Sequence, residues 1–166
     1  IPIYKIPSGE ITNLPYLRYI GGMGKPIIMS TGMSTMDQIN DSVKLLRTDK
    51  LIIAHCTSTY PCPPAELNLK MITTLKNKFD CPIGYSGHEV GLPTTISAVA
   101  LGACLVERHV TLDRSMWGSD HSASVEPGGL ERLVRYIKIV EEAMGDGKKR
   151  VYPNEIPILK KLRTVQ

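Results

Sequence analysis

Residues 26–46, PIIMSTGMSTMDQINDSVKLL, contain the pattern that decides the fold. The apolar run at 26–30 has the length of a buried strand, and a polar loop follows it. Thr35 and Gln38 form a capping-box pattern, in which each side chain can bond to the other residue's backbone N–H at the start of a helix. The apolar positions of that helix recur at i, i+4 and i+7: Ile39, Val43 and Leu46. The stretch is therefore predicted to be one strand followed by one helix with a buried face.

The same order of apolar run, polar loop and amphipathic segment recurs on both sides of this stretch. The further predicted strands are Ile3–Ile6, Leu51–His55, Cys81–Tyr85 and Cys104–Val110, beside Pro26–Ser30. The further predicted helices are one capped by Asn13 with Pro15 in its first turn, one marked by Leu67, Met71 and Leu75, one at Thr94–Leu101, and one from Pro127 to near Gly145 with Leu130, Val134, Ile137 and Ile139 at apolar positions. Such alternation predicts a parallel α/β sheet with crossover helices.

Two parallel architectures fit these consecutive units. A doubly wound open sheet could hold all the strands, but its usual Gly-rich first turn, GxGxxG, is absent. A closed (β/α)8 TIM barrel needs eight strands, so under that interpretation three are missing. The chain has no initial Met, which places the expected missing strands at the front.

The composition is that of an ordinary globular domain and argues against several other classes of protein. Hydrophobic residues make up 42% and charged residues 22% of the 166, and no apolar run approaches the roughly 18–20 residues of a membrane span. No secretory signal opens the chain, and Cys56, Cys62, Cys81 and Cys104 contain no CxxC pair, so we expect reduced core thiols in a cytoplasmic protein. With a net charge of +4 and 5% aromatics, an acidic small molecule is a better expected partner than nucleic acid.

Parallel α/β proteins bind ligands at the carboxyl ends of their strands, so polar residues at those ends are the candidates for function. His88 and His109 end neighbouring predicted strands, and two neutral imidazoles there could converge on one divalent cation. Such a site leaves most coordination positions to water and substrate. A hydrogen-bonded structural role is the alternative for each, and it is the expected role of His55.

A lysine and three serines at strand ends predict an anion site. Lys5 interrupts the apolar run IPIYKIP, where a charge that faces a barrel mouth needs an anion, although at an outer edge it would reach solvent. Ser8, Ser58 and Ser86 are ordinary loop residues taken singly, but together they resemble a phosphate cradle of hydroxyl and N–H groups.

Two carboxylates complete the candidate site. Glu10 follows the first predicted strand, and Asp120 lies in the long loop after the fifth. Either could take part in acid–base chemistry or bind sugar hydroxyls. A helix cap and a solvated loop position are equally compatible with the pattern.

The assembled segments resemble the sialic acid synthase family, of the N-acetylneuraminate synthase type. The matching segments are KIPSGEITNLPYL, KPIIMSTGM, HCTSTYPCPP, GYSGHEVG, LVERHVTLDR and GSDHSASVEPGGL, in the family's order. The resemblance implies an incomplete TIM barrel with strands four to eight. Residues 1–147 would be the C-terminal portion of the synthase domain, and 148–166 the start of a linker to an absent antifreeze-like domain. Ser58 stands where other members have Asn, and Pro7 replaces the commoner Gly.

This resemblance implies a transferase of sialic acid biosynthesis that condenses phosphoenolpyruvate with N-acetylmannosamine or a related N-acyl sugar. C3 of phosphoenolpyruvate attacks a metal-polarised aldehyde, water adds at C2, and phosphate leaves by C–O cleavage. The implied roles are metal binding and catalysis by His88 and His109, catalysis also by Glu10, phosphoenolpyruvate binding by Lys5, Ser8, Ser58 and Ser86, and sugar binding by Glu10, Tyr60 and Asp120. Mn²⁺ is the expected ion, with Mg²⁺ or Co²⁺ as alternatives.

Two alternatives to this assignment stay open. A sister synthase would make pseudaminic or legionaminic acid, although GYSGHE and GSDHSASVEP favour the N-acetylneuraminate type. The chain could also be an inactive truncated fragment. The full-length protein is expected to form a homodimer without nucleic-acid or membrane partners, and the present chain alone is expected to have little or no synthase activity.

Overall fold

A computed structural model of the chain describes residues 1–46 and 49–164. Five parallel strands form one sheet: β1 Tyr4–Ile6, β2 Ile27–Ser30, β3 Leu51–Cys56, β4 Ile83–Gly87 and β5 Val106–Arg108. The α-helices of the described residues are α1 Leu14–Gly21, α2 Met36–Leu46, α3 Met71–Lys78, α4 Pro93–Ala100, α5 Pro127–Met144 and α6 Ile156–Leu162. Short 3₁₀ turns occupy Ser8–Glu10, Pro64–Glu66, His121–Ala123 and Pro153–Glu155. The parallel α/β class predicted from the sequence is confirmed.

The order of the strands argues against a doubly wound sheet. Each strand pairs with the next strand along the chain, in parallel. Among the strands that the structure describes, the sheet therefore has no point where the order reverses, which a doubly wound fold requires. Right-handed crossovers of constant direction place the connecting helices on one face.

The sheet curls so strongly that its two edge strands face each other. In a flat sheet, four steps of about 4.8 Å would separate β1 from β5 by roughly 19 Å. Lys5 Nζ on β1 nevertheless lies 3.2 Å from Glu107 Oε1 on β5. The five strands thus form a half-barrel, consistent with a partial TIM-barrel fold.

The hydrophobic core fills the space between the convex face of the sheet and the helices. Ile6, Met29 and Ile53 are completely buried on this face. The helices contribute buried apolar residues from α1 to α4: Leu17, Ile20, Ile39, Leu46, Ile72, Leu75 and Ala98. Side chains alternate along a strand, so the residues next to the core positions point to the concave face: Lys5, Ser30, Cys56, Ser86 and Glu107.

Both predicted helix starts in the first half of the chain are confirmed. Asn13 Oδ1 accepts a hydrogen bond from the Tyr16 N–H at 3.3 Å, which caps α1. Thr35 N–H donates to Gln38 Oε1 at 2.8 Å, and Gln38 N–H donates to Thr35 Oγ1 at 3.3 Å. These reciprocal bonds satisfy two N–H groups that the first turn of α2 would leave without partners.

Three local predictions were wrong. The helix α3 begins at Met71, and Leu67 precedes it because its carbonyl accepts a hydrogen bond from His55 rather than continuing a helix. Strand β5 covers only Val106–Arg108, because the chain beyond it pairs through an isolated bridge to Val125. All four cysteines are free thiols, but Cys104 is exposed rather than in the core.

The long helix α5 was predicted correctly in extent, and few of its apolar positions are buried. Leu133 is its buried residue, whereas Leu130, Val134 and Ile139 are exposed. The helix packs against α4 and lines a cavity together with β5, which is an edge strand of the described sheet. No further strand of the described residues covers that edge, so these apolar positions stay in contact with solvent.

The segment after α5 is largely exposed and contains the short helix α6. The last two residues of the predicted linker, 165 and 166, lie outside the described residues. Within the described ranges, no helix has the length and apolar character needed to cross a bilayer.

Candidate functional site

The carboxyl ends of β4 and β5 bring the two candidate histidines together. His88 directly follows β4 and is 5% exposed, and His109 directly follows β5 and is half-buried. Their ring centroids are 5.1 Å apart. Two imidazoles that hold one cation through nitrogens at about 2.1 Å have centroids roughly 5 Å apart. The observed spacing therefore fits a shared cation.

A hydrogen bond of His88 and a charge contact of His109 indicate which nitrogen of each histidine is available. His88 Nδ1 lies 2.9 Å from the Thr57 carbonyl oxygen, which can only accept, so the proton belongs on Nδ1. His109 Nδ1 lies 3.6 Å from Asp120 Oδ2, which favours a proton on the same nitrogen. Both Nε2 atoms then keep a lone pair, as in metal sites whose histidines are oriented by a carbonyl or carboxylate.

The donor set around this pair is small. Within residues 1–46 and 49–164, no group of three or more His, Cys, Asp or Glu side chains is arranged to hold a metal ion. Two imidazoles alone would leave the other coordination positions to water and substrate, which suits a Lewis acid. The Tyr60 ring lies beside both histidines, with centroid distances of 4.2 Å to His88 and 5.5 Å to His109.

Cys56, predicted only as a core thiol, lies in the site. Its Sγ is 3.7 Å from His88 Nδ1, 3.6 Å from Ser8 Oγ and 3.7 Å from Ser58 Oγ. Burial raises the pKa of Cys56, but the contacts with His88 and Ser8 outweigh burial and lower that pKa overall. Burial lowers the pKa of His88, but the contacts with Cys56 and Thr57 outweigh it and raise the pKa overall. Each of the two groups thus shifts the pKa of the other.

Two of the predicted serines meet at Gly32, in the loop after β2. The Gly32 N–H donates to Ser8 Oγ at 2.9 Å. A Cβ atom at position 32 would lie 2.1 Å from Ser58 Oγ and 2.8 Å from Ser8 Oγ, so a larger residue does not fit. The loop therefore gathers hydroxyl groups from two other strand ends into a small polar cluster, which suits an anion.

A charged row crosses the concave face beside this cluster. Lys5 Nζ donates to Ser30 Oγ at 2.9 Å and pairs with Glu107, so Lys5 faces the inside of the half-barrel rather than an outer edge. Ser86 Oγ donates to Glu107 Oε1 at 2.8 Å. An anionic ligand at this row would compete with Glu107 for Lys5. The strand alternation that places Glu107 and His109 on one face could have assigned Glu107 to the site.

The two candidate carboxylates are placed differently. Asp120 joins the histidine pair through His109, and its Oδ1 accepts a hydrogen bond from Ser119 at 2.8 Å. Glu10 Oε2 instead accepts a hydrogen bond from Asn13 Nδ2 at 2.7 Å, beside the start of α1. The described contacts thus bring Asp120 to the histidines and keep Glu10 near the helix cap.

Comparison with known proteins shows the family. The NeuB family profile matches residues 1–149. This chain belongs to the NeuB family. It is 45% identical over 160 residues to the N,N'-diacetyllegionaminic acid synthase of Campylobacter jejuni, a match that covers 93% of this chain and 48% of that protein. It is 42% identical over 165 residues to the human N-acetylneuraminate-9-phosphate synthase, covering 98% of this chain and 46% of that protein.

A solved structure in the same group agrees with the fold. The N-acetylneuraminic acid (sialic acid) synthetase of Leptospira borgpetersenii, determined with citrate, matches with a TM-score of 0.87 and 34% identity, over 99% of this chain and 60% of that one. The chain spans about half the length of the curated relatives it matches. The resemblance carried by the sequence motifs is confirmed at the level of NeuB-family sugar acid synthases.

A buried ion pair of this NeuB chain was not predicted from the sequence. Glu89 and Arg108 form an ion pair in which both side chains are 2% exposed. The Tyr85 hydroxyl donates to Glu89 Oε2 at 2.9 Å, and the Thr94 hydroxyl donates to Oε1 at 3.0 Å. Burial raises the pKa of Glu89, but the hydrogen bond from Thr95 and the charge of Arg108 outweigh it, so the pKa is lowered overall. Charged residues are expected on surfaces, and no local pattern signals this burial.

Proposed function

We propose that this chain forms the metal- and phosphate-binding half of a synthase that condenses phosphoenolpyruvate with N-acetylmannosamine or a related N-acyl sugar. The products would be an N-acetylneuraminate-type acid and phosphate. The observation that carries the proposal is the approach of His88 and His109 to 5.1 Å at one end of a curled parallel sheet. Because the relatives are about twice as long, we assign the five strands to positions four to eight of a (β/α)8 barrel.

Phosphoenolpyruvate is assigned to the polar row and cluster of the concave face. Lys5 supplies the cation, and Ser8, Ser58 and Ser86 supply hydroxyl donors around Gly32 and Glu107. Charge-assisted hydrogen bonds to a phosphate or carboxylate are stronger than neutral ones, so Lys5 is expected to contribute most of the affinity.

A divalent cation held by His88 and His109 would polarise the aldehyde oxygen of the sugar. Mn²⁺ fits two imidazoles with oxygen ligands from water and substrate, and Mg²⁺ or Co²⁺ are alternatives. Thr57 and Asp120 would keep both rings in the orientation that leaves Nε2 available. The ring of Tyr60, which is 41% exposed and lies beside His88, would cover one side of the site.

The reaction makes one carbon–carbon bond and breaks one carbon–oxygen bond. C3 of phosphoenolpyruvate bonds to the aldehyde carbon, whose oxygen gains a proton, while water adds to C2 and the bond from C2 to the phosphate oxygen breaks. Asp120 and Tyr60 are assigned to the sugar, and Glu10 to sugar binding and proton transfer. Asn13, which donates to the Glu10 carboxylate, would hold that carboxylate in place.

The identity of the sugar is a choice among sister substrates. Because the reaction adds three carbons, a phosphate on C6 of mannosamine becomes a phosphate on C9 of the product. The human relative is named for such a 9-phosphate product, and the relative with 45% identity is named for a diacetylated legionaminic acid. The legionaminic alternative therefore stays beside the N-acetylneuraminate assignment.

A substrate panel with isotopically labelled phosphoenolpyruvate tests the proposal. Full-length protein with Mn²⁺ would be offered N-acetylmannosamine, its 6-phosphate, and the precursors of legionaminic and pseudaminic acids. We expect one sugar to be consumed, and ¹⁸O in the bridging position of phosphoenolpyruvate to appear in inorganic phosphate by ³¹P NMR. Retention of the label in the sugar acid, or no turnover with any sugar, would contradict the proposal.

The chain of 166 residues alone provides a second test. We propose that it has little or no synthase activity, because five strands do not close a barrel. Measurable synthase turnover by the purified chain would refute this part. For the full-length protein we propose a cytoplasmic homodimer. Size-exclusion chromatography with light scattering would check the dimeric state.

A further inference from the structure

We infer that Arg108 and Glu89 are positioning residues that set the separation of His88 and His109. The inference rests on the proposed function in one respect only, that the two imidazoles share a cation. Its physical basis is the place of the pair in the chain. Glu89 directly follows His88, and Arg108 directly precedes His109.

The contacts between the two residues join both backbone segments at two points. Arg108 Nη2 donates to the Glu89 carbonyl oxygen at 2.6 Å. Arg108 Nη1 lies 3.4 Å from Glu89 Oε1. Because the planar guanidinium is bound through both nitrogens, it resists rotation as well as translation of one segment against the other. The ends of β4 and β5 are therefore held in register one residue away from each imidazole.

The same guanidinium also holds the neighbouring loops. Its Nη1 donates to the Gly91 carbonyl at 3.0 Å and to Thr95 Oγ1 at 2.7 Å, at the start of α4. Its Nη2 also donates to the Ala123 carbonyl at 3.3 Å, in the turn that follows Asp120. Arg108 thus connects the segments that position His88, His109 and Asp120.

The pair is closely packed against the backbone of β4. A Cβ atom at Gly87 would lie 2.5 Å from Glu89 Oε2 and 3.1 Å from Arg108 Cδ. Both charged side chains are 2% exposed, so water is not at hand to replace a lost contact. A buried ion pair adds little net stability compared with an apolar pair, but it fixes geometry. The desolvation of Glu89 and Arg108 costs free energy, and we infer that the pair offsets this cost by placing the two histidines.

Replacement of Arg108 by lysine in the full-length protein tests this role. Lysine keeps the charge but has one nitrogen in place of the fork, so we expect the two-point attachment to be lost. The matched control is Leu46→Ala, which removes a buried side chain from α2 without touching either loop. Mn²⁺ affinity would be measured by titration with electron paramagnetic resonance, and the unfolding midpoint by urea.

We expect R108K to weaken Mn²⁺ binding by about 10-fold or more, as for other outer-shell changes. L46A should keep its affinity within about 2-fold of the wild type at a similar or larger loss of stability. Unchanged affinity in R108K, or an equal loss in both variants, would overturn the inference and make the ion pair a purely structural element.

A second readout without metal separates this inference from the proposed function. The imidazole resonances of His88 and His109 should both shift or broaden in R108K and stay in place in L46A, whose substituted side chain lies in α2. If the wild type binds no Mn²⁺, the proposed function fails, and these resonances still decide the positioning role. If R108K does not fold, E89Q, which keeps the size of the side chain, is expected to shift the same resonances, and unchanged spectra would overturn the inference.

Discussion

The convex and concave faces of the sheet are formed by alternate residues of the same strands, yet the core packs on the convex face and a polar row lies on the concave face. On the convex face, Ile53 and Tyr85 are at most 1% exposed and pack against the helices. On the concave face, Cys56 contacts His88, and Ser86 donates a hydrogen bond to Glu107. Glu107 also forms an ion pair with Lys5 on the opposite edge strand. The packed convex face stabilises the folded chain, and the concave face carries the polar groups of the candidate site.

This contrast teaches that the two faces should respond differently to substitution. Truncation of an apolar side chain on the convex face should lower the free energy of unfolding and leave ligand affinity intact in the molecules that remain folded. Substitution of a polar residue on the concave face should weaken ligand binding and change the free energy of unfolding only slightly, because these polar groups contribute little net stability. The tests that follow use this difference.

The largest expected effect is loss of activity from the histidine pair. His88→Ala or His109→Ala in the full-length protein should lower metal-dependent condensation by at least about 100-fold, since each removes half of the proposed protein ligands. The control is His121→Ala at the same end of the sheet, where His121 Nδ1 lies 2.7 Å from Thr111 Oγ1 and not beside the pair. Undiminished turnover of either variant at saturating metal would contradict the site.

The next effect separates the two faces by stability. Ile53→Ala should lower the free energy of unfolding by about 2–5 kcal/mol, because a fully buried isoleucine leaves a cavity. Ser86→Ala on the concave face should cost about 1 kcal/mol for one lost hydrogen bond. Urea denaturation of both variants measures the difference. Equal losses would show that the concave face is a second core.

A smaller effect is expected when the cation of the concave face is removed. Lys5→Met should raise the KM for phosphoenolpyruvate by about 10-fold, because one charge-assisted contact to the anion is lost. Its ion pair with Glu107 is partly exposed, so stability should change by less than about 1 kcal/mol. Lys44→Met, at an exposed pair with Asp41, is the control. An unchanged KM in the Lys5 variant would remove Lys5 from the phosphoenolpyruvate site.

The smallest effect is a pH dependence that belongs to the convex side. His55 lies 2.7 Å from the Leu67 carbonyl through Nε2, and burial lowers its pKa below the usual value. The unfolded chain therefore takes up the proton first, so this contribution to stability is complete above about pH 6.5 and declines as the pH falls below that value. Urea denaturation of wild type and His55→Gln between pH 7.5 and pH 5 should show their difference shrinking with acidification. A difference that does not vary with pH would contradict this.

The sequence was sufficient for what depends on local periodicity. The strand–helix order, the caps at Asn13 and Thr35 and the position of His88 at a strand end all follow from patterns within one or two turns. Because parallel strands align their carboxyl ends, the approach of His88 to His109 was also predictable.

The remaining features depend on contacts between residues that are far apart in the chain. The curl that brings Lys5 to Glu107 and the burial of Arg108 against Glu89 have no local signal. The exposure of Cys104 likewise depends on where the sheet ends, and the hydrophobic periodicity of the sequence does not predict that position. Long-range geometry, rather than propensity, decided each of these.

The position of a bound metal tests the central claim most directly. Crystals of the full-length protein grown with Mn²⁺ would be measured at the manganese absorption edge. We predict one anomalous peak within roughly 2.5 Å of Nε2 of both His88 and His109. A peak bound to only one of these rings, or located away from both while manganese supports turnover, would contradict it.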